Sequence, residues 1–283
     1  MPAEAGADRL ISIQSNVHVV ESARLLYVRV PKAACSTMLW TMALMAGVGS
    51  DELAFSDGHY PTRPMTIHDA SIHPVPTIDL VSPDLRHEAL TSPEWMRVAI
   101  TRDPYARLYS AWESRILFAS PGPWTGFPQP AIISVDGNID VATSFQAFVE
   151  TMEEHLGIWQ ADPHFAQQAY VMALDEIDFT DIVPTSKLGE LFDRLSDRVG
   201  KPLHPQRHNE GLGLAYRDAF DEATARRCEA MFALDFDRLG YEHQDLSSGS
   251  GLRLSGPASR TVAMLQDRNR RIGDLSERLR QRA

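Results

Sequence analysis

Apolar residues along the 283-residue chain gather into short strand-length segments, each followed by a stretch of helical spacing. Leu25–Val30, Trp95–Ile100 and Phe179–Pro184 have the length and composition of buried strands. After the first comes Ser36–Ala46, apolar nearly all round, which predicts a helix central to the core. The helix after the second starts at Asp103, suited to an N-cap, with Pro104 at the first position, where a missing N–H costs nothing. Amphipathic spacing predicts helices over Ser144–Leu156, Asp162–Leu174 and roughly Asp218–Leu234. Another, capped by Ser186, runs to about Val199 and stops at Gly200, with Pro202 beyond. Strands alternating with helices, without an internal repeat, predict an α/β fold: a P-loop-NTPase-like, mostly parallel central sheet flanked by helices, plus a C-terminal helix.

Three regions stand outside this alternation. Residues 1–23 read as a loose lead-in. Residues 50–94 are rich in Pro and His with little periodicity and read as long loops with short helical turns, which in compact domains are often functional. Ala119–Ala131 is broken by Pro and Gly yet carries Trp124 and Phe127, so it reads as a loop that packs on something, a wall or lid for a substrate. The predicted organisation is a lead-in over 1–23, one domain over 24–246, a flexible linker over 247–259 and a basic amphipathic helix over 260–283. In that last helix Leu265, Ile272 and Leu279 lie seven apart, while Val262, Asn269 and Ser276 fill the alternate seam. Fewer than three heptads leave two readings open, a helix docked on its own domain and homo-oligomerisation.

Charge sharpens the picture. The formal net charge is −11, distributed as +5 over residues 251–283 and −16 over residues 1–250. That balance argues against a nucleic-acid or heparin-type surface, so any anion site must be local. The two cysteines, Cys35 and Cys228, give no disulfide framework and predict a reducing compartment. The first residues lack a basic stretch followed by an apolar run, and the longest weakly polar run, Thr37–Gly49, is too short to span a bilayer. The expectation is a soluble, cytoplasmic protein without a transmembrane segment.

Two segments carry the candidate chemistry: Leu25-Leu-Tyr-Val-Arg-Val-Pro-Lys-Ala-Ala-Cys-Ser-Thr37 and Val98-Ala-Ile-Thr-Arg-Asp-Pro-Tyr-Ala-Arg-Leu-Tyr-Ser110. Each reads as a strand feeding a helix across a tight turn, with a cation and hydroxyls where the helix-opening amides and the positive end of the dipole gather. That is an anion-binding arrangement. Two of them on one sheet suit a ligand with two separated phosphate-like groups. The first turn lacks the Gly-x-x-x-x-Gly-Lys-Ser/Thr of a nucleotide kinase, the rival enzyme reading. A cysteine phosphatase needs an arginine six residues after Cys35, and Thr41 stands there. A Cys–His acyl-transfer site and a plain strand–turn–helix connection stay open for this loop taken alone.

Taken together, the two segments resemble the cofactor motifs of sulfotransferases that use 3′-phosphoadenosine-5′-phosphosulfate (PAPS). The Pro-Lys-x-Ala-Cys form and the Arg-x-Pro-Tyr-x-Arg-Leu-x-Ser form are closest to the carbohydrate branch, which includes the chondroitin, HNK-1 and heparan 2-O enzymes and bacterial relatives. Asp178–Leu188 and Phe232–Tyr241 echo later parts of that family, so the resemblance covers about residues 24–242. It implies that Lys32 contacts the phosphosulfate and stabilises the bridging oxygen as the sulfuryl group leaves. The amides of Ala33, Ala34, Cys35, Ser36 and Thr37, with the Ser36 and Thr37 hydroxyls, would hold the 5′-phosphate. Arg102 and Ser110 would hold the 3′-phosphate, and Arg207 lies where some relatives bring a late polar segment over the cofactor.

An alcohol acceptor needs a base, worth about 10²–10⁴ in rate. The resemblance implies a histidine or glutamate between the two motifs, where His59, His68, His73, His87, Glu52, Glu88 and Glu94 stand. His68 is the first choice, since it follows a short apolar stretch and Asp69 could orient it; His73 is the runner-up. His59, His68, His73 and Asp57 match no recognised metal-ligand spacing, and this chemistry needs no metal. The acceptor implied is a hydroxyl of a carbohydrate or glycosylated metabolite, with long polyanionic glycosaminoglycans disfavoured by the acidic body. An inactive relative acting as a scaffold through its C-terminal helix is the non-enzyme alternative.

Overall fold

The computed structural model describes residues 14–48, 67–68, 73–120, 127–128, 130–204, 211–246 and 251–280. In chain order the elements are β1 (Val17–Val20), β2 (Leu25–Val28), α1 (Cys35–Met45), α2 (Pro83–Thr91), β3 (Met96–Thr101), α3 (Pro104–Trp112), β4 (Ser134–Val135), β5 (Asn138–Asp140), α4 (Val141–Glu154), α5 (Leu156–Trp159), α6 (Gln168–Val171), β6 (Asp181–Pro184), α7 (Leu188–Val199), α8 (Glu222–Met231), α9 (Ala233–Leu239), β7 (Arg253–Leu254) and α10 (Gly256–Arg280). The chain divides into two compact units interleaved in sequence. The first holds the described residues up to 102 and those from 168 to 204; the second holds those from 103 to 167 and from 211 to 280. The architecture is mixed α/β, with a central, partly parallel sheet flanked by helices.

The first unit is built on a four-stranded sheet of order β1-β2-β3-β6. β2, β3 and β6 run parallel, pairing Tyr27 with Val98 and Val98 with Asp181, while β1 is antiparallel to β2. β1 corrects the expected loose lead-in. All four of its residues are buried, and its outer edge bonds to residues 76–78 through Val19 N to Pro76 O (3.0 Å) and Ile78 N to Val17 O (2.8 Å). Four residues interrupted by a histidine are too short to declare a strand. α1 is buried along most of its length, as its apolar circumference predicts. In the Pro- and His-rich region, α2 starts where Ser82 accepts from Leu85 N (3.3 Å), with Pro83 at its first position. α7 ends at Gly200 with φ +67°, the expected left-handed stop.

The second unit gathers its core around buried aromatic rings, among them Trp112, Phe145, Phe148, Trp159 and Phe220. α3 is capped by the Asp103 carboxylate accepting from Ala106 N (2.9 Å) and runs on into a π-helical turn over Glu113–Leu117. Phe127 packs edge-on against Trp159 at 5.1 Å, as a loop bearing aromatic residues should; Trp124 lies outside the described residues. α4 starts three residues earlier than expected because Asp140 caps Thr143 N at 3.0 Å. Over Asp162–Leu174 the expected helix shrinks to α6. The Pro163 and Ala166 carbonyls, which a helix would use internally, accept instead from the Arg107 guanidinium at 2.7 Å each. The helix expected over Asp218–Leu234 splits at Asp221, which caps α8 through Thr224 N (2.7 Å).

α10 begins four residues before the expected Arg260 and docks on its own unit. Ser259 donates to Gly137 O (2.8 Å), Gln266 to Leu117 O (2.8 Å) and Asn269 to Phe118 O (2.7 Å). Val262 between them is fully buried. These residues recur at helical spacing on one face, so the Val262–Asn269 seam faces the chain itself, while Met264, Leu275 and Leu279 are exposed. The 247–250 part of the linker lies outside the described residues. No helix among the described residues is long and apolar enough to cross a membrane.

Candidate active site

The loop from β2 to α1 is shaped at the backbone. Lys32 takes φ +69° and Ala34 φ +55°, left-handed conformations that cost an L-residue about 1–2 kcal/mol each and cluster at ligand-binding turns. Ala33 N closes the turn onto Val30 O at 3.3 Å, and Met38 N makes the helix's first bond, to Ala34 O at 3.1 Å. Ala34 is the N-cap and supplies no side-chain oxygen. The helix start therefore opens at this loop, where the dipole favours an anion. Glycine would adopt these dihedrals more easily, but alanine is still small enough to let a ligand approach the backbone.

Arg102 follows directly on β3 and is joined to this loop within the first unit. Its Nη1 donates to the Lys32 carbonyl at 3.3 Å. Its backbone is held at both polar groups by one side chain: Arg102 N donates to Gln168 Oε1 (2.8 Å), and Gln168 Nε2 donates to Arg102 O (2.8 Å). The strand-end cation and the lysine loop, seventy residues apart in sequence, are thus tied together.

His68 joins the same loop, its Nε2 2.7 Å from Ser36 Oγ. Its Nδ1 lies 3.5 Å from Arg29 Nη1, and Arg29 is anchored in turn by Nε donation to Asn16 Oδ1 at 3.1 Å. A guanidinium only donates, so the Nδ1 edge faces a donor; the Ser36 hydroxyl can donate to Nε2 or accept from it. His73 is placed otherwise. Its Nδ1 accepts from Val75 N (3.1 Å), its ring lies 4.8 Å from that of His18, and burial pushes its pKa down. Glu88 accepts from the Trp95 indole at 3.1 Å, Glu94 pairs with Arg24, and His87 lies on α2, its carbonyl accepting from Thr91 Oγ1. His59, Glu52, Asp57 and Asp69 lie outside the described residues, as does Arg207. Among the described residues no cluster of His, Cys, Asp or Glu could hold a metal ion.

Ser110 belongs to the second unit, half-buried on α3. Arg107 of the same motif, 1% exposed, spends its charge on the Pro163 and Ala166 carbonyls and is a structural brace. Cys35 is half-buried at the first position of α1. Sequence reasoning missed Arg29 and Gln168. Arg29 was visible inside the first motif as a cation breaking an apolar run; Gln168 had no local signal.

These features coincide with a family assignment. The model of the sulfotransferase family matches residues 15–242, and the chain belongs to that family. It is thus a transferase of sulfuryl groups, and its family generally takes them from PAPS. No curated protein and no solved structure matches the chain.

Proposed function

We propose that this sulfotransferase takes the sulfuryl group from PAPS and passes it to a hydroxyl of a carbohydrate or glycosylated metabolite. The observation that carries the reading is the Arg102 Nη1 to Lys32 O bond of 3.3 Å, with His68 against Ser36 of the same loop. The amides of residues 33–37 and the Ser36 and Thr37 hydroxyls would hold the 5′-phosphate, in a P-loop-like role, and Lys32 would meet the phosphosulfate. Arg102 would take the 3′-phosphate; Ser110 and Arg207 enter on the resemblance alone. The catalytic region is taken as residues 17–246, with β1 added to the expected domain of 24–246.

In the reaction the acceptor oxygen attacks sulfur in line, its new S–O bond forming as the bond to the 5′-phosphate oxygen breaks. The acceptor proton passes to a proton-free nitrogen of His68, and the leaving phosphate's charge is met by Lys32 and the helix-start amides. Positioning and charge stabilisation dominate such transfers, with the base adding about 10²–10⁴. The carbohydrate acceptor is supported by the motif forms, and the −16 charge over residues 1–250 favours one that is not polyanionic.

Calorimetry with 3′-phosphoadenosine-5′-phosphate and with adenosine 5′-phosphate tests the donor assignment. The wild type should prefer the first, and Arg102→Ala should lose that preference. Equal affinities in the wild type, or ATP turnover without binding of the 3′-phosphorylated nucleotide, would overturn it in favour of a kinase.

A further inference from the structure

We infer that Gln168 is a positioning residue that sets the donor selectivity of Arg102, an inference that rests on the donor reading above. Parallel pairing carries β3 as far as Thr101, opposite Pro184 on β6, and Val28 of β2 is paired only with Ala99. Arg102 is therefore the first residue of that strand beyond the ladder, and its peptide groups need partners from elsewhere. One fully buried side chain supplies both, accepting from Arg102 N and donating to Arg102 O at 2.8 Å each. The backbone partners fix the amide's orientation, since N–H can only donate and C=O only accept.

Only a side chain carrying one donor and one acceptor on the same planar group can act in this way as a one-residue strand. The chain leaves the first unit after Arg102 and re-enters it at Gln168, so this side chain ties exit to entry. The restraint falls on the residue whose guanidinium reaches the Lys32 carbonyl. With its backbone held at both polar groups, Arg102 presents its charge from a defined origin, and the orientation needed for a 3′-phosphate is prepared before binding.

The test uses the full chain with Gln168→Met, which removes both partners at similar volume, and Gln168→Glu, which keeps the shape but sets a second acceptor against Arg102 O. Affinities for 3′-phosphoadenosine-5′-phosphate and adenosine 5′-phosphate are measured by calorimetry beside a thermal melt. The ratio of the two affinities should fall about tenfold in both variants, with adenosine 5′-phosphate binding little changed. A general loosening of the fold would weaken both nucleotides together and leave the ratio intact, which overturns the inference. So does failure of both variants to fold, for Gln168 then holds the unit rather than the arginine. If the wild type itself shows no preference, the donor reading fails first, a result separable from a wild-type ratio that survives in the variants.

Discussion

Replacing His18 with phenylalanine should make the protein markedly less sensitive to mild acid. His18 lies on β1 opposite Tyr27, 5% exposed, and neither ring nitrogen reaches a partner at hydrogen-bonding geometry among the described residues. Burial, then the nearby His73 and Arg29, pull its pKa from 6.5 to about 3, the Val75 backbone opposing weakly. The folded chain thus keeps the ring neutral where the unfolded chain takes up a proton. A histidine depressed in this way contributes stability that is fully present above pH 6.5 and is lost as pH falls toward 3. The loss runs at about 1.4 kcal/mol per pH unit, so wild type should lose about 2 kcal/mol through this ring between pH 6.5 and 5. His18→Phe keeps a ring of similar size and has nothing to protonate. Urea unfolding of both proteins at pH 7, 6 and 5 measures the difference, and Phe should also be at least neutral at pH 7 because it removes two unsatisfied polar atoms. If the variant's stability falls as steeply as that of wild type from pH 7 to 5, the account of a neutral, buried His18 is wrong.

Other perturbations probe the site and its support. His68→Ala should lower kcat by about 10²–10⁴ while leaving calorimetric binding of 3′-phosphoadenosine-5′-phosphate nearly intact, and His73→Ala should lower kcat far less; the reverse order would move the base to His73. Arg107→Met leaves the carbonyls of buried Ala166 and half-buried Pro163 without their donor and should cost on the order of 3 kcal/mol, seen as a lowered Tm; an unchanged Tm would remove its role as a brace. Asn269→Ala should cost about 1 kcal/mol and expose α10 to proteolysis, which intact resistance would contradict.

Much of the scaffold was legible locally. The corners at Pro31–Thr37 and Arg102–Pro104 announce themselves through an apolar run, a turn and a cap within a dozen residues, and the strands and helices around them lie within a few residues of expectation. β1 was not legible, because its burial comes from residues 76–78 lying along its outer edge. Nor was the break in the expected helix over Asp162–Leu174, where Arg107 takes carbonyls more than fifty residues away. The helical period of the tail was correct, but which of its two seams is buried depends on the Gly137, Leu117 and Phe118 carbonyls that meet it.

The resemblance of the two motifs implied the sulfuryl-transfer class, while residue types and their spacing, read alone, implied the α/β scaffold, the two strand-to-helix corners and the charge asymmetry. These follow from interactions within one turn or one strand, which any window of sequence contains. Folding alone set the His68 ring against Ser36 and brought Arg102 to the Lys32 loop. It also recruited Gln168, 66 residues from the backbone it holds. Such pairings belong to the path of the chain, because hydrogen bonds are satisfied by whatever the packed core brings within about 3 Å.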